Sequence, residues 1–322
     1  MGLSLLVVVV WFSRQLRLRG RSGSNHIDDA ASALGVEAPL SAPKFLWSFA
    51  WRSQKSLLPV LHFWDKAAPG NSCVNLQILW LRALAGDERS YSLLPRQTRF
   101  IVSPPLRRLY PRLHHQNVLL RTTFLDEAIE DQLSRTDLDI LMIDVGAGFS
   151  ARGLRLSSGY ARVREVVEID LPSVVDQKKR LLKDRNIHAP RLRFVGADLS
   201  PRGKKPSDSA AEAGGATVDA ALESAVSGRY EGRGLIFVVE ALLIYLDPDD
   251  ALALLAALAS VASSAPFAAL CFADRVPGVQ GVAETDVQEV LKSAGWTHLE
   301  RYLPKPGLAR HMGIAKLTTT RE

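Results

Sequence analysis

A glycine-rich segment, Asp144-Val-Gly-Ala-Gly148, follows an apolar run that is typical of a buried strand and precedes a predicted helix. Gly146 and Gly148 allow a ligand to approach the backbone closely, and the start of the helix offers N–H groups without intrahelical partners. The spacing Gly146-x-Gly148-x-x-Ala151 also fits the dinucleotide fingerprint of dehydrogenases. The motif by itself therefore predicts a nucleotide-containing ligand but does not identify it.

Acidic residues follow the next three predicted strands: Asp170 ends the second, Asp198 follows the third and Glu240 follows the fourth. The carboxyl ends of parallel strands meet at one edge of a sheet, so we expect these acids to lie near the glycine turn. Asp170 stands where a carboxylate can accept both ribose hydroxyls of an adenosine, although it could instead cap the helix that begins at Pro172. An acidic rim suits a cationic sulfonium better than an anionic pyrophosphate, which favours S-adenosylmethionine over NAD.

The elements that must position these residues form a regular series from residue 118 onward. Short apolar runs alternate with helical segments, which is typical of a parallel sheet with crossover helices. We predict an α/β domain with seven strands, near residues 140–145, 165–169, 193–195, 234–239, 267–272, 297–303 and 312–317.

The chain before this domain has a different character. Leu3 to Phe12 is almost entirely apolar and precedes several arginines, but it is shorter than the ~20 residues needed to span a bilayer. It is compatible with a targeting segment or with association at a membrane surface. Four tryptophans between residues 45 and 94 indicate helices that pack on the catalytic domain, as plain packing helices or as a lid. We therefore divide the chain into residues 1–44, 45–94 and 95–322.

Composition places the chain among ordinary globular proteins, with 47% hydrophobic and 23% charged residues. The net charge of +6 is scattered rather than gathered in one stripe, so nucleic-acid binding is not predicted. Two cysteines, Cys73 and Cys271, support no disulfide framework and favour a reducing, cytoplasmic compartment. No metal site is predicted, and the oligomeric state stays open.

Four short motifs occur in order along the catalytic region. They are Arg121-Thr-Thr-Phe-Leu-Asp126, Val145-Gly-Ala-Gly-Phe-Ser-Ala-Arg152, Glu168-Ile-Asp-Leu-Pro172 with Lys178, and Glu240-Ala-Leu-Leu-Ile-Tyr-Leu246. In these motifs and their order the chain resembles the leucine carboxyl methyltransferase family, over about residues 95 to 317. The family usually has Asp-Thr where this chain has Ser150-Ala151.

This resemblance implies a doubly wound, mostly parallel, seven-stranded Rossmann-like sheet with an antiparallel last strand and an N-terminal helical segment. It also implies S-adenosyl-L-methionine as the cofactor, with no catalytic residue assigned. Arg121 would pair with the methionine carboxylate, and Glu240 would lie near the methionine amino group. The other cofactor-binding residues would be Gly146 and Gly148 along the cofactor, Asp170 at the ribose, and Asp198 and Leu199 beside the adenine.

The predicted reaction is methyl transfer to a carboxylate of a protein C-terminus or a small acid. A carboxylate is ionised at neutral pH and needs no general base, whereas a hydroxyl acceptor would need one, with His114, His115 and His311 as candidates. Two alternatives stay open. One is an NAD-linked oxidoreductase, and the other is a catalytically inactive, membrane-tethered binding module on a methyltransferase scaffold.

Overall fold

A computed structural model describes residues 71–84, 87–94, 99, 116–199, 218–227, 231–305 and 310–317. The N-terminal segment 1–44 and residues 45–70 lie outside this part of the chain, as do His114 and His115. Within it, no helix is long and apolar enough to cross a membrane.

Seven strands form one sheet in the order β3-β2-β1-β4-β5-β7-β6. Strands β1 to β5 pair in parallel, and β7 pairs antiparallel with both β5 and β6. The predicted α/β class and antiparallel last strand are confirmed. The strands are β1 Ile140–Val145, β2 Val163–Asp170, β3 Leu192–Gly196, β4 Gly234–Glu240, β5 Ala268–Asp274, β6 His298–Lys305 and β7 Arg310–Lys316.

Helices cover both faces of the sheet, and a 3-10 turn, Leu243–Tyr245, follows β4. The central strands are buried along nearly their whole length, which is why they read as continuous apolar runs. The α-helices among the described residues are α1 Asn71–Leu84, α2 Glu88–Leu93, α3 Gln116–Ser134, α4 Arg152–Gly159, α5 Pro172–Asp184, α6 Val218–Val226, α7 Pro248–Ala262 and α8 Glu284–Ser293.

Alternate residues of each central strand face opposite sides of the sheet and build two cores. On one side the strands pack against α6, α7 and α8, and on the other against α3. A third cluster joins α1 and α2 to the start of α4 and to α5. Leu76, Leu79, Trp80 and Ala83 of α1 are buried in it at helical spacing. Helix α1 is thus packed on the sheet domain beside the glycine turn.

Candidate active site

The glycine turn between β1 and α4 adopts backbone angles that only glycine takes without strain. Gly146 has φ 71° and Gly148 has φ 52°, and the Gly146 N–H donates to the Ile169 carbonyl at 2.8 Å. A methyl group on Gly146 would lie 2.9 Å from the Leu242 side chain, and one on Gly148 would lie 2.7 Å from Asn75 Oδ1. The turn therefore packs closely against α1 and the segment after β4.

Asp170 lies directly beside this turn. One carboxylate oxygen accepts from the Gly148 N–H at 2.6 Å and the other from the Leu171 N–H at 2.7 Å. Burial raises the pKa of Asp170, and these two hydrogen bonds oppose that rise. The carboxylate does not cap α5, whose N-cap residue is Leu171 without a side-chain cap. A carboxylate has about four acceptor positions, so capacity remains for ribose hydroxyls.

The end of β3 meets the same edge of the sheet. The Ala197 N–H donates to the Asp170 carbonyl at 2.9 Å, which places Asp198 and Leu199 directly after a residue held by Asp170. Leu199 is buried and Asp198 is half-buried. The structure thus places the two predicted adenine-flanking residues at the edge predicted for them.

Glu240, the last residue of β4, is surrounded by three guanidinium groups. Oε1 accepts from Arg82 Nη2 at 2.7 Å and from Arg121 Nε at 2.6 Å, and Oε2 accepts from Arg152 Nη2 at 2.6 Å. The Glu240 side chain is only 7% exposed. Burial alone would raise its pKa, but Arg82, Arg152 and Arg121 together hold the pKa well below the usual range. Glu240 therefore holds its negative charge among three guanidinium groups at the end of β4.

Arg152 links this cluster to two further acids. Its Nε donates to Asp126 Oδ1 at 3.1 Å, and its Nη1 lies 3.5 Å from Asp144 Oδ2. Asp126 is shared with Arg155 at 2.9 Å. Burial raises the pKa of Asp144 more than Arg152 and Lys178 lower it. The network around Glu240 thus comprises four arginines, with Arg155, and three carboxylates.

Ser150 joins the glycine turn to its surroundings. Its hydroxyl accepts from Arg82 Nη1 at 2.9 Å and from the Arg152 N–H at 3.2 Å, and its carbonyl accepts from Lys178 Nζ at 2.6 Å. Lys178 also forms an ion pair with Glu168 at 2.5 Å, and both side chains are almost fully buried. Burial, partly opposed by Lys178, raises the pKa of Glu168 to about 7.

The segment after β4 presents two exposed apolar residues next to the cluster. Ile244 is 38% exposed and Tyr245 is 71% exposed. Asp274 stabilises their turn, because its carboxylate accepts from the N–H groups of Leu242, Leu243 and Ile244.

His311, a candidate base for a hydroxyl acceptor, is buried and has both ring nitrogens occupied. Nδ1 accepts from the Val276 N–H at 3.0 Å, and Nε2 lies 2.9 Å from the Gly281 carbonyl. Burial lowers its pKa. A neutral ring locked between two backbone groups cannot reach an acceptor without leaving its place, so His311 has a structural role.

A family model described as leucine carboxyl methyltransferase matches residues 94–259, just over half of the 322 residues. The chain belongs to the leucine carboxyl methyltransferase family. This family consists of S-adenosylmethionine-dependent methyltransferases, so the match gives no support to an NAD-linked oxidoreductase. A comparison with curated protein sequences yields no match.

Solved structures similar to this chain share little sequence with it. EvdMO1 is 12% identical with a TM-score of 0.38, over 60% of this chain and 40% of that chain. A SAM-dependent methyltransferase from Aquifex aeolicus is 15% identical with a TM-score of 0.36, over 59% and 88%. An O-methyltransferase from neocarzinostatin biosynthesis is 16% identical with a TM-score of 0.38, over 74% and 68%. This chain thus spans less than half of the length of EvdMO1.

Among the residues predicted from sequence, Gly146, Gly148 and Asp170 form one contact network, and Arg121 and Glu240 form another at the same edge of the methyltransferase sheet. Arg82 and Arg152 were not predicted. Arg152 could have been found, because it closes the glycine motif. Arg82 gave no signal, since it lies 158 positions before Glu240 and outside the residues that the family model matches.

Proposed function

We propose that this methyltransferase transfers the methyl group to a carboxylate oxygen, on a protein C-terminus or on a small organic acid. The observation that carries the proposal is the group of buried guanidiniums around Glu240. Arg82, Arg121 and Arg152 share that one strongly ionised carboxylate, and Asp126 is divided between Arg152 and Arg155. Buried guanidinium groups favour anionic groups on the molecules that bind beside them, which would include the carboxylate of the methyl donor as well as that of an acceptor.

Arg121 is the residue best placed to meet such a group. Only its Nε is engaged, by Glu240, and its two terminal nitrogens make no hydrogen bond to any residue that the structure describes. Terminal guanidinium nitrogens match the two oxygens of a carboxylate. Glu240 would hold Arg121 in place and balance part of its charge while Arg121 binds the methionine carboxylate.

The remaining residues fit the rest of the methyl donor. Gly146 and Gly148 would let it approach the backbone, Asp170 would accept from the ribose hydroxyls, and Asp198 and Leu199 would flank the adenine. When bound, S-adenosylmethionine supplies a methyl group activated by its sulfonium. The protein's contribution is to orient donor and acceptor in line, which can supply ~7–11 kcal/mol of the rate acceleration.

The histidines also favour an acceptor that is already ionised. His311 is held between two backbone groups. His188 precedes β3 and His298 begins β6, so both lie at the ends of strands opposite the edge that carries Glu240. The described residues therefore offer no histidine as a base for a hydroxyl acceptor at this edge, and a carboxylate needs none. Ile244 and Tyr245 would contact the apolar part of the acceptor.

The test has two stages. Isothermal titration with S-adenosylhomocysteine and with NADH is expected to show binding of the first only. The protein is then incubated with methyl-labelled cofactor and a cell extract, and the label is expected in base-labile methyl esters. Base-stable label in hydroxyl or nitrogen positions would overturn the carboxylate acceptor. Cofactor binding without any transfer would favour the inactive binding module instead, whose membrane contact through residues 3–12 a vesicle flotation assay would detect.

A further inference from the structure

Helix α1 reaches the candidate site with a buried charged side chain. Arg82 is 5% exposed and spans two elements, with Nη1 donating to Ser150 Oγ on the glycine turn and Nη2 donating to Glu240 Oε1 at the end of β4. These two contacts are the only hydrogen bonds of this side chain to residues that the structure describes. Arg82 thus links two parts of the site. One is the glycine turn, which would hold the methyl donor, and the other is Glu240, which holds Arg121.

We propose that Arg82 is a positioning residue of the methyl-donor site, and that α1 acts through it to fix the glycine turn. The inference rests on the proposed function, because it assigns a purpose to α1 within that same site. Arg82 lies before the region that the family model matches, so the proposal adds an element that the family assignment does not cover.

Packing alone does not account for Arg82. Four apolar residues, Leu76, Leu79, Trp80 and Ala83, already attach α1 to the domain. Taking a guanidinium out of water is costly, and its contacts must offset that cost. A buried arginine at the inner end of a helix that is otherwise well packed therefore indicates a use for its two-pronged geometry.

Ser150 is the residue through which Arg82 contacts the glycine turn. Its hydroxyl accepts from both Arg82 and the Arg152 backbone, while its carbonyl accepts from Lys178. Because Ser150 is neutral, the charge of Arg82 is matched by its ion pair with Glu240, and the Ser150 contact contributes direction rather than charge. Removing Arg82 would release the Ser150 end of the turn on the side that faces α1.

Asn75, near the start of α1, also contacts the glycine turn. Its Oδ1 lies where a side chain on Gly148 would go, and its amide makes no hydrogen bond to the described residues. Two polar side chains of α1, roughly two helical turns apart, therefore contact opposite ends of the segment from Gly148 to Ser150.

The experiment compares R82Q, R82K and S150A with R89Q in the full chain. Arg89 is exposed on α2 and makes no ion pair with the described residues, so R89Q is the matched control. Binding of S-adenosylhomocysteine is measured by isothermal titration, and amide hydrogen exchange is followed in a peptide covering residues 146–152. Circular dichroism and thermal melting establish that each variant is folded.

We expect R82Q to weaken binding about 10-fold and S150A about 3-fold. In a double variant that carries both changes, the loss should be smaller than the product of these factors, because the two residues share one contact. Exchange in residues 146–152 should accelerate in R82Q and S150A but not in R89Q. R82K should keep the melting temperature, since its charge still faces Glu240, yet fail to restore slow exchange, because an ammonium cannot make both contacts.

Binding by R82Q equal to that of R89Q, or full rescue by R82K, would overturn the proposal. Effects of R82Q and S150A that simply add would do the same. The exchange measurement uses the free protein and does not depend on the cofactor. If the wild-type chain binds no S-adenosylhomocysteine, the proposed function fails, while unchanged exchange in R82Q refutes the positioning role separately.

Discussion

Two acidic residues end neighbouring parallel strands, Glu240 on β4 and Asp274 on β5, and the fold uses them differently. Glu240 receives side-chain donors from α1, α3 and α4, which are far from it in sequence. Asp274 receives backbone N–H groups from the single turn after β4, and from Arg275 at 2.7 Å. One carboxylate accepts from charged side chains of three helices, and the other accepts from the backbone of a neighbouring turn. Being acidic at a strand end therefore does not define a ligand-binding role.

The largest effect is expected from E240Q, which removes the charge shared by three buried guanidiniums. An uncompensated buried charge costs several kcal/mol, so we expect the free energy of unfolding to fall by about 3 kcal/mol, measured by urea denaturation. Affinity for S-adenosylhomocysteine should fall at least about 10-fold, because Arg121 loses its anchor.

The control for E240Q is E127Q, since the Glu127 side chain is 43% exposed and lies 3.4 Å from Arg301. This surface pair should contribute less than about 1 kcal/mol. Equal losses of stability in the two variants would contradict the special position of Glu240.

An intermediate effect is expected from D274N, which keeps the shape of the side chain but replaces one acceptor oxygen with a donor. We expect a loss of about 2 kcal/mol in the free energy of unfolding and faster amide exchange in residues 242–246. Affinity for S-adenosylhomocysteine should change much less than in E240Q. A loss of affinity as large as that of E240Q would erase the contrast between the two acids.

An effect similar in size to that of D274N, but dependent on pH, is expected for Glu168, a buried carboxylate that pairs with Lys178. Its pKa is raised from the usual 4.5 to about 7, mainly by burial. The folded state thus binds this proton more tightly than the unfolded state. The resulting stabilisation is present below pH 4.5 and is lost as the pH rises through 7.

Glutamine at this position cannot titrate, so wild type should lose stability relative to E168Q between pH 4.5 and 7, on the order of 2 kcal/mol. Urea denaturation at a series of pH values measures the difference. A difference that does not vary with pH would show that Glu168 stays ionised beside Lys178 and that its pKa is not raised.

Some features followed from the sequence because they are encoded locally. Strand β1 was predicted with the bounds it has, and the other strands were predicted within a few residues, since buried parallel strands are continuous apolar runs. The four motifs identified the family because each is a short run whose residues stay adjacent in the fold. Glycines at Gly146 and Gly148 were informative for the same reason, because a positive φ is a local requirement.

Only the tertiary structure decided which partners the charged side chains have. Glu240 was expected to contribute negative charge to an acidic rim, but Arg82, Arg121 and Arg152 converge on it from three helices. His311 looked like a possible base until its burial between two backbone groups was seen. Periodicity and motifs specify elements and their order, whereas the sign and strength of an electrostatic site depend on which distant side chains packing brings together.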